Sequence, residues 1–178
     1  MASATLDEPG AVREENGFEP ERPLFFLRAQ IPELPVGAAQ LRQFHGGASN
    51  LTYQLDIGGY SMILRRPPAG NKPESGHDMH REYRVLAALH GHFPCPRPLT
   101  YCEDAELIGA PFYVMEKLNG IILRRDPPKS LSYAPEQARQ LCLNLLDTLI
   151  RLHTLDYAAL GLADLGRPNG YVERQLNG

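Results

Sequence analysis

The sequence predicts an α+β fold, in which a small antiparallel sheet with one helix is followed by the beginning of a helical region. Two segments that alternate between apolar and polar residues flank Gly58-Gly59, a pattern typical of a β-hairpin. An amphipathic pattern with helical period then covers about residues 78–90, and a longer one begins at Pro135. Strands that precede helices in this way favour an α+β architecture.

The hairpin is the clearest element. Before the turn, Leu51, Tyr53, Leu55 and Ile57 alternate with polar residues, and the alternation resumes after it with Tyr60, Met62 and Leu64. Because a two-residue loop fixes the register, we expect Thr52 and Arg65 to lie opposite each other on one face. Residues 41–44 predict a preceding strand, which the segment H-G-G-A-S joins to the hairpin.

Other elements are indicated by their ends. Asp78 is a suitable N-cap and Gly91 a suitable stop for the helix between them. An apolar cluster predicts a short helix over residues 23–31. Short strands are expected at residues 99–103 and 111–116, and a third near 121–123.

The helix that begins at Pro135 carries one apolar stripe, which we interpret as core. The stripe consists of Ala138, Leu141, Cys142, Leu145, Leu149 and Leu152. A further amphipathic segment starts at Tyr171 and is too short to be stable by itself. We therefore expect the natural protein to continue beyond Gly178.

Composition limits the function classes. A net charge of -3 provides no basic field for nucleic acid, so neither a nucleic-acid nor a membrane partner is expected, and the expected location is cytoplasmic. Residues 1–20 are acidic and predict a disordered tail. Three cysteines form no disulfide framework. A metal site among His90, His92, Cys95 and Cys102 is the weaker alternative to an ordinary loop there, because the spacing lacks a zinc knuckle.

Five stretches carry a family resemblance: F-H-G-G-A-S-N-L-T-Y, M-I-L-R-R-P-P, H-D-M-H-R-E-Y-R-V-L, G-A-P-F-Y-V-M-E and G-R-P-N-G-Y-V-E-R-Q-L. Their order resembles the small lobe and hinge of the protein-kinase-like fold. Within that fold, the sequence is most similar to the aminoglycoside phosphotransferase family, in the branch associated with acyl-CoA dehydrogenases. The resemblance implies a kinase-like small lobe over residues 21–117. It also implies a hinge and the first part of a truncated helical large lobe over 118–178.

The resemblance also implies a reaction. Members of this family transfer phosphate from ATP, with Mg²⁺, to a small hydroxylated molecule, and the branch favours a hydroxyacyl-CoA. The chain would then be the N-terminal, nucleotide-binding part of such an enzyme. A non-catalytic nucleotide-binding or interaction module is the alternative, and a purely structural fragment is a third possibility.

The candidate phosphate loop contains Gly46, Gly47 and Ser49. Glycine permits positive φ and close backbone approach, so free N–H groups can face phosphate oxygens, and the serine adds a hydroxyl. A plain hairpin turn remains the alternative, because the full G-x-G-x-x-G pattern is absent.

Arg65 ends the strand M-I-L-R, where a kinase-like protein usually has lysine. Arginine keeps the charge but presents a planar fork. Glu82 lies on the apolar side of its helix, where a carboxylate needs a partner. We expect it to pair with Arg65; the alternative is a helix-edge salt bridge to Arg81 or Arg84.

Residues 114–120 resemble the hinge between kinase lobes. The resemblance implies that backbone groups of Glu116 and Leu118 would bind the adenine base. Without it, the segment is a strand that ends in a polar turn.

The residues for phosphate transfer are not found. The family uses a loop of the form H-G-D-x-x-x-x-N and a later metal-binding aspartate, and the sequence lacks that loop. Asp156 follows His153 at the wrong spacing, and Asp164-Leu165-Gly166 comes too soon after it, so both aspartates are expected to be structural. We expect the chain to be inactive by itself, with the Mg²⁺ ligands in a missing C-terminal part.

Overall fold

A five-stranded antiparallel sheet in the order β1-β2-β3-β5-β4 forms the centre of the molecule. The computed structural model describes residues 8–45, 50–68, 78–123, 133–166 and 169–177. The strands are β1 (Ala39–Phe44), β2 (Leu51–Ile57), β3 (Tyr60–Arg66), β4 (Pro98–Cys102) and β5 (Phe112–Glu116). The helices are α1 (Leu24–Gln30), α2 (Met79–Leu89), α3 (Pro135–His153) and α4 (Tyr171–Asn177), with a short 3-10 helix at Glu14–Asn16.

The β2–β3 hairpin has the predicted register. Gly58 and Gly59 adopt φ values of 54° and 87°, as the two central positions of a type I′ turn require. Thr52 pairs with Arg65 across the hairpin, which confirms their expected placement on one face of the sheet.

The two faces of the sheet have different roles. One face holds the core, where buried side chains such as Tyr53, Leu55 and Leu64 pack with Leu27 of α1. The other face carries Thr52, Arg65 and their neighbours, and α2 packs on it against β4 and β5. Functional side chains are therefore separated from the core by the period-two alternation of the strands.

The acidic N-terminal segment is predicted to be a disordered tail, and for residues 8–20 this prediction is wrong. Gly10 exchanges backbone hydrogen bonds with Gln43, with N–O distances of 2.8 and 3.0 Å, and so adds a bridge at the edge of β1. The Phe18 ring meets the Tyr53 ring edge-on at 5.4 Å. Burial of a few apolar side chains and pairing of the backbone therefore hold the segment, while its acidic side chains remain in solvent.

The expected short strand at residues 121–123 is also absent. This stretch is irregular and pairs with no strand in the part of the chain that the structure describes. Ile121, Ile122 and Leu123 are 40%, 62% and 39% exposed. A three-residue apolar run has too little pattern to specify a strand, and here its first two residues line a cleft instead.

The helices have the expected ends. The Asp78 side chain accepts a hydrogen bond from the Arg81 N–H at 2.9 Å, and Gly91 follows α2 with φ +84°. α3 begins at Pro135, and none of its residues is buried. Its apolar stripe is therefore exposed in this chain rather than buried in a core, contrary to the interpretation from the sequence. No helix among the described residues is long and apolar enough to cross a membrane.

Candidate functional site

Arg65 and Glu82 form the predicted ion pair. Nη1 of Arg65 lies 3.0 Å from Oε2 of Glu82, and each side chain is about one-third exposed, at 30% and 31%. One alternative partner is engaged elsewhere, since the guanidinium of Arg84 binds Asp164. Among the described residues, Glu82 forms its ion pair with Arg65 and not with Arg81.

Glu82 accepts hydrogen bonds from two further residues. Nδ2 of Asn50 lies 2.7 Å from its Oε1, and the Tyr113 hydroxyl lies 2.9 Å from its Oε2. The three donors to this carboxylate thus come from the start of β2, from β3 and from β5. Helix α2 is thereby fastened through one side chain to three separate parts of the sheet face.

Sequence reasoning missed Asn50 and Tyr113 as site residues. A signal for both was present in the strand alternation. Asn50 precedes Thr52 by two positions and therefore falls on the same face, and Tyr113 pairs directly with Arg65. What could not be read from the sequence is where α2 crosses this face.

Tyr113 is 1% exposed. Its burial raises the pKa of the hydroxyl well above its usual range; the Glu82 carboxylate adds to the rise and the Arg65 guanidinium opposes it. The hydroxyl therefore stays protonated and serves as a donor to Glu82. It also accepts a hydrogen bond from Nη1 of Arg65 at 3.3 Å.

The fork of Arg65 is only partly occupied. Nη1 makes both contacts, to Glu82 and to Tyr113. Among the described residues, Nη2 contacts no acceptor and the buried Nε has no hydrogen-bond partner. One terminal nitrogen is thus held in place by protein, and the other remains for a ligand.

A cleft of about 930 Å³ lies beside this cluster on the same face of the sheet. Thr52, the cross-strand neighbour of Arg65, lies in its wall, together with Ile63 and Met115. Residues 116–122 also line this cleft. A second cleft of about 520 Å³, between α2 and the sheet, contains Arg65 itself and shares Met115 with the first.

The predicted hinge residues lie on the wall of the larger cleft. Glu116 donates its backbone N–H to the Arg97 carbonyl at 2.9 Å and accepts the Arg97 N–H at its side-chain carboxylate at 2.7 Å. The Arg97 donor is thus taken by the Glu116 side chain rather than by its carbonyl. Leu118 is 61% exposed and lines the cleft.

Gly46, Gly47 and Ser49 lie outside the described residues, so the phosphate loop stays a prediction. Its two ends are placed: His45 lines the larger cleft, and Asn50 binds Glu82.

The two aspartates that imitate catalytic motifs have structural contacts. Asp156 accepts the backbone N–H groups of Ala158 and Ala159 at 3.1 and 3.0 Å, as a capping residue does. Asp164 forms a fork with the guanidinium of Arg84, with hydrogen bonds of 2.8 and 3.1 Å. Within the described ranges, no group of three or more His, Cys, Asp or Glu side chains could hold a metal ion.

The sheet borders a cleft, and an arginine on β3 pairs with a glutamate on α2. Strand β5 leads into a segment that lines the same cleft. Together these features are the arrangement of a kinase-like small lobe. A sequence profile of the phosphotransferase enzyme family matches residues 40–178. The chain belongs to this family. The predicted kinase-like fold is likewise confirmed. A crystal structure described as that of an aminoglycoside phosphotransferase from Ralstonia eutropha superposes on this chain with a TM-score of 0.74 at 31% sequence identity. That comparison covers 90% of this chain and 46% of the other.

Relatives of this phosphotransferase-family chain include two acyl-CoA dehydrogenase family members. Acyl-CoA dehydrogenase family member 11 of Gallus gallus is 38% identical over 176 residues, which are 96% of this chain and 22% of that protein. Acyl-CoA dehydrogenase family member 10 of Mus musculus is 33% identical over 152 residues, or 85% of this chain and 14% of that protein. The chain thus spans about a fifth or less of these relatives' length.

Proposed function

We propose that this chain binds ATP in the larger cleft and supplies part of the nucleotide site of a small-molecule phosphotransferase. The observation that carries the proposal is the Arg65–Glu82 pair, 3.0 Å apart on the sheet face that also forms the cleft wall. A cation held by a carboxylate beside such a cleft is suited to bind phosphate oxygens.

The adenine end of the nucleotide would lie at the hinge. A volume of about 930 Å³ is in the range of small-molecule sites, and apolar walls such as Ile63 and Met115 suit a planar base. Polar recognition would come from the Glu116 carbonyl and the Leu118 N–H. The Arg97 N–H binds the side-chain carboxylate of Glu116 and not the backbone carbonyl of Glu116. This supports a ligand-binding role for that carbonyl.

The phosphate end would lie at Arg65. One terminal nitrogen of its guanidinium is held by Glu82 and Tyr113, so the other can bind a phosphate oxygen without moving the side chain. Backbone N–H groups of Gly46 and Gly47 and the Ser49 hydroxyl would add donors. By the family pattern, the Mg²⁺ ligands would belong to the catalytic loop and the later aspartate that this sequence lacks.

The reaction of the whole protein would be the transfer of phosphate from ATP to a hydroxyl of a small molecule. Membership of the phosphotransferase enzyme family supports the reaction class. The similarity to acyl-CoA dehydrogenase family members supports a hydroxyacyl-CoA as the acceptor. A reading frame that continues past Gly178 into H-G-D-x-x-x-x-N would support the enzyme, and a stop codon there would support a non-catalytic binding module.

Calorimetric titration with ATP and Mg²⁺ tests the nucleotide proposal. We expect binding by the 178-residue chain. Leu118→Pro removes the hinge N–H and should weaken binding about fivefold or more, the value of one good hydrogen bond. Leu118→Ala keeps that N–H and is the matched control, expected to bind nearly as the wild type does. Absence of ATP binding at millimolar concentration would contradict the proposal.

A further inference from the structure

We propose that Tyr113 is a positioning residue for nucleotide phosphate, because its hydroxyl binds both Arg65 and Glu82 and so holds the ion pair in one geometry. This inference rests on the proposed function, since it concerns how the same site holds a phosphate group. It assigns a role to a β5 side chain that sequence reasoning did not single out.

The geometry gives Tyr113 two simultaneous contacts. Its hydroxyl donates to Oε2 of Glu82 at 2.9 Å and accepts from Nη1 of Arg65 at 3.3 Å. These are the same two atoms that form the ion pair. Tyr113 is 1% exposed and lies at the position of β5 that pairs with Arg65, so packing on the sheet face holds its ring in place. Tyr113 therefore sets where the pair sits above the sheet.

The contact matters because the side chain on β3 is arginine. A guanidinium can rotate about its chain and present different nitrogens, whereas an ammonium group is a compact point charge. Tyr113 and Glu82 both contact Nη1. This shared contact selects one orientation of the fork, in which Nη2 has no protein partner among the described residues. Tyr113 thereby keeps one arm of Arg65 available for an anionic ligand.

Glu82 is held by Asn50 as well, at 2.7 Å. This contact joins α2 to the first described residue after the candidate phosphate loop. Loss of the Tyr113 hydroxyl would therefore leave Glu82 attached to the sheet, while Nη1 of Arg65 would keep only one of its two contacts. The expected effect is on phosphate affinity rather than on folding.

Tyr101 provides a matched control. It lies on β4 directly opposite Tyr113, and the rings of both residues lie close to Tyr83 of α2, with centroids at 5.9 and 6.4 Å. No hydrogen bond of the Tyr101 hydroxyl is found within the described part of the chain. Tyr101→Phe thus removes the same atom from the same sheet face without touching the pair.

The experiment compares ATP and adenosine affinities of the 178-residue chain by calorimetry. For Tyr113→Phe we expect ATP binding to weaken about threefold to tenfold, the range of one hydrogen bond, with adenosine binding unchanged. For Tyr101→Phe we expect both affinities to stay at wild-type values. A role in stability alone would weaken both ligands together. Equal ATP-to-adenosine ratios in Tyr113→Phe and Tyr101→Phe would overturn the inference.

Hydrogen exchange on the α2 amides supplies a second measurement that needs no ligand. Tyr113→Phe should leave α2 protected, because Asn50 and Arg65 still bind Glu82, and loss of that protection would contradict a pure positioning role. Should Tyr113→Phe fail to fold, Glu82→Gln, at a less buried position, should show the same selective loss of ATP affinity. If the wild type binds neither ligand, the proposed function fails. If it binds ATP and Tyr113→Phe behaves as Tyr101→Phe, only the positioning role fails.

Discussion

Glu82→Gln is the substitution whose effect on stability the structure defines best. All three groups around the carboxylate are donors: Arg65 at 3.0 Å, Asn50 at 2.7 Å and Tyr113 at 2.9 Å. A glutamine side chain turns an NH₂ group toward at least one of them, so one hydrogen bond is lost and the charge attraction to Arg65 is removed.

The magnitude follows from partial exposure. A fully exposed pair would contribute at most about 1 kcal/mol, and breaking a buried one would cost about 3–5 kcal/mol. Glu82 and Arg65 are about one-third exposed, at 31% and 30%, while Tyr113 is buried. We therefore expect Glu82→Gln to lower the free energy of unfolding by about 2 kcal/mol, close to one hydrogen bond to a charged group.

Urea unfolding followed by circular dichroism measures this loss. Glu33→Gln is the matched control, because Glu33 pairs with Arg97 at 3.2 Å with both side chains nearly half exposed. That control should lose less free energy than Glu82→Gln, because solvent screens an exposed ion pair. If the two variants lose the same free energy within about 0.5 kcal/mol, the proposed three-donor cluster does not hold α2.

Four further outcomes are expected. Arg66 is 3% exposed and its guanidinium donates to three acceptors. Arg66→Met should therefore lower the free energy of unfolding by about 2–4 kcal/mol and make the N-terminal segment sensitive to protease. An unchanged urea midpoint would argue against this. Hydrogen bonding from Arg84 lowers the pKa of Asp164. The contact between the two side chains should therefore be intact above the usual carboxyl pKa and be lost as pH falls through the lowered value. A titration of the Asp164 carboxyl chemical shift measures this pKa, and an ordinary value would refute the prediction. The exposed apolar stripe of α3 should cause self-association and binding of a hydrophobic dye, and the double substitution Leu145→Glu and Leu149→Glu should reduce both. A monomeric wild-type chain in light scattering would contradict the expectation. The chain should transfer no labelled phosphate from ATP to hydroxylated substrates, and product above a protein-free blank would show otherwise.

Much of the fold could be predicted because local chemistry decides it. Gly58-Gly59 specifies the hairpin register, and Asp78 and Gly91 specify the ends of α2. The Arg65–Glu82 pair followed from these elements together with the family resemblance. For the hairpin and α2, the residues that determine the structure are neighbours in sequence; the pair joins two separate elements, so it also needed the resemblance.

The errors and omissions depend on distant contacts. Acidic composition suggested a tail, but Gly10 and Phe18 find partners on strands more than thirty residues away. Tyr113 joins the site only because β5 lies beside β3, an adjacency that the sequence does not state. Strand order and helix placement are set by the packing of the whole sheet, so no local pattern identifies such residues.

The central claim, that adenine lies at the hinge and phosphate at Arg65, is tested most directly by ¹⁵N chemical-shift titration of the 178-residue chain. Adenosine should shift the backbone amide of Leu118 and leave the guanidinium signals of Arg65 unchanged. ATP should shift both, because only ATP brings phosphate oxygens to the free arm of Arg65. ATP-induced shifts that avoid both residues would contradict this account of the site.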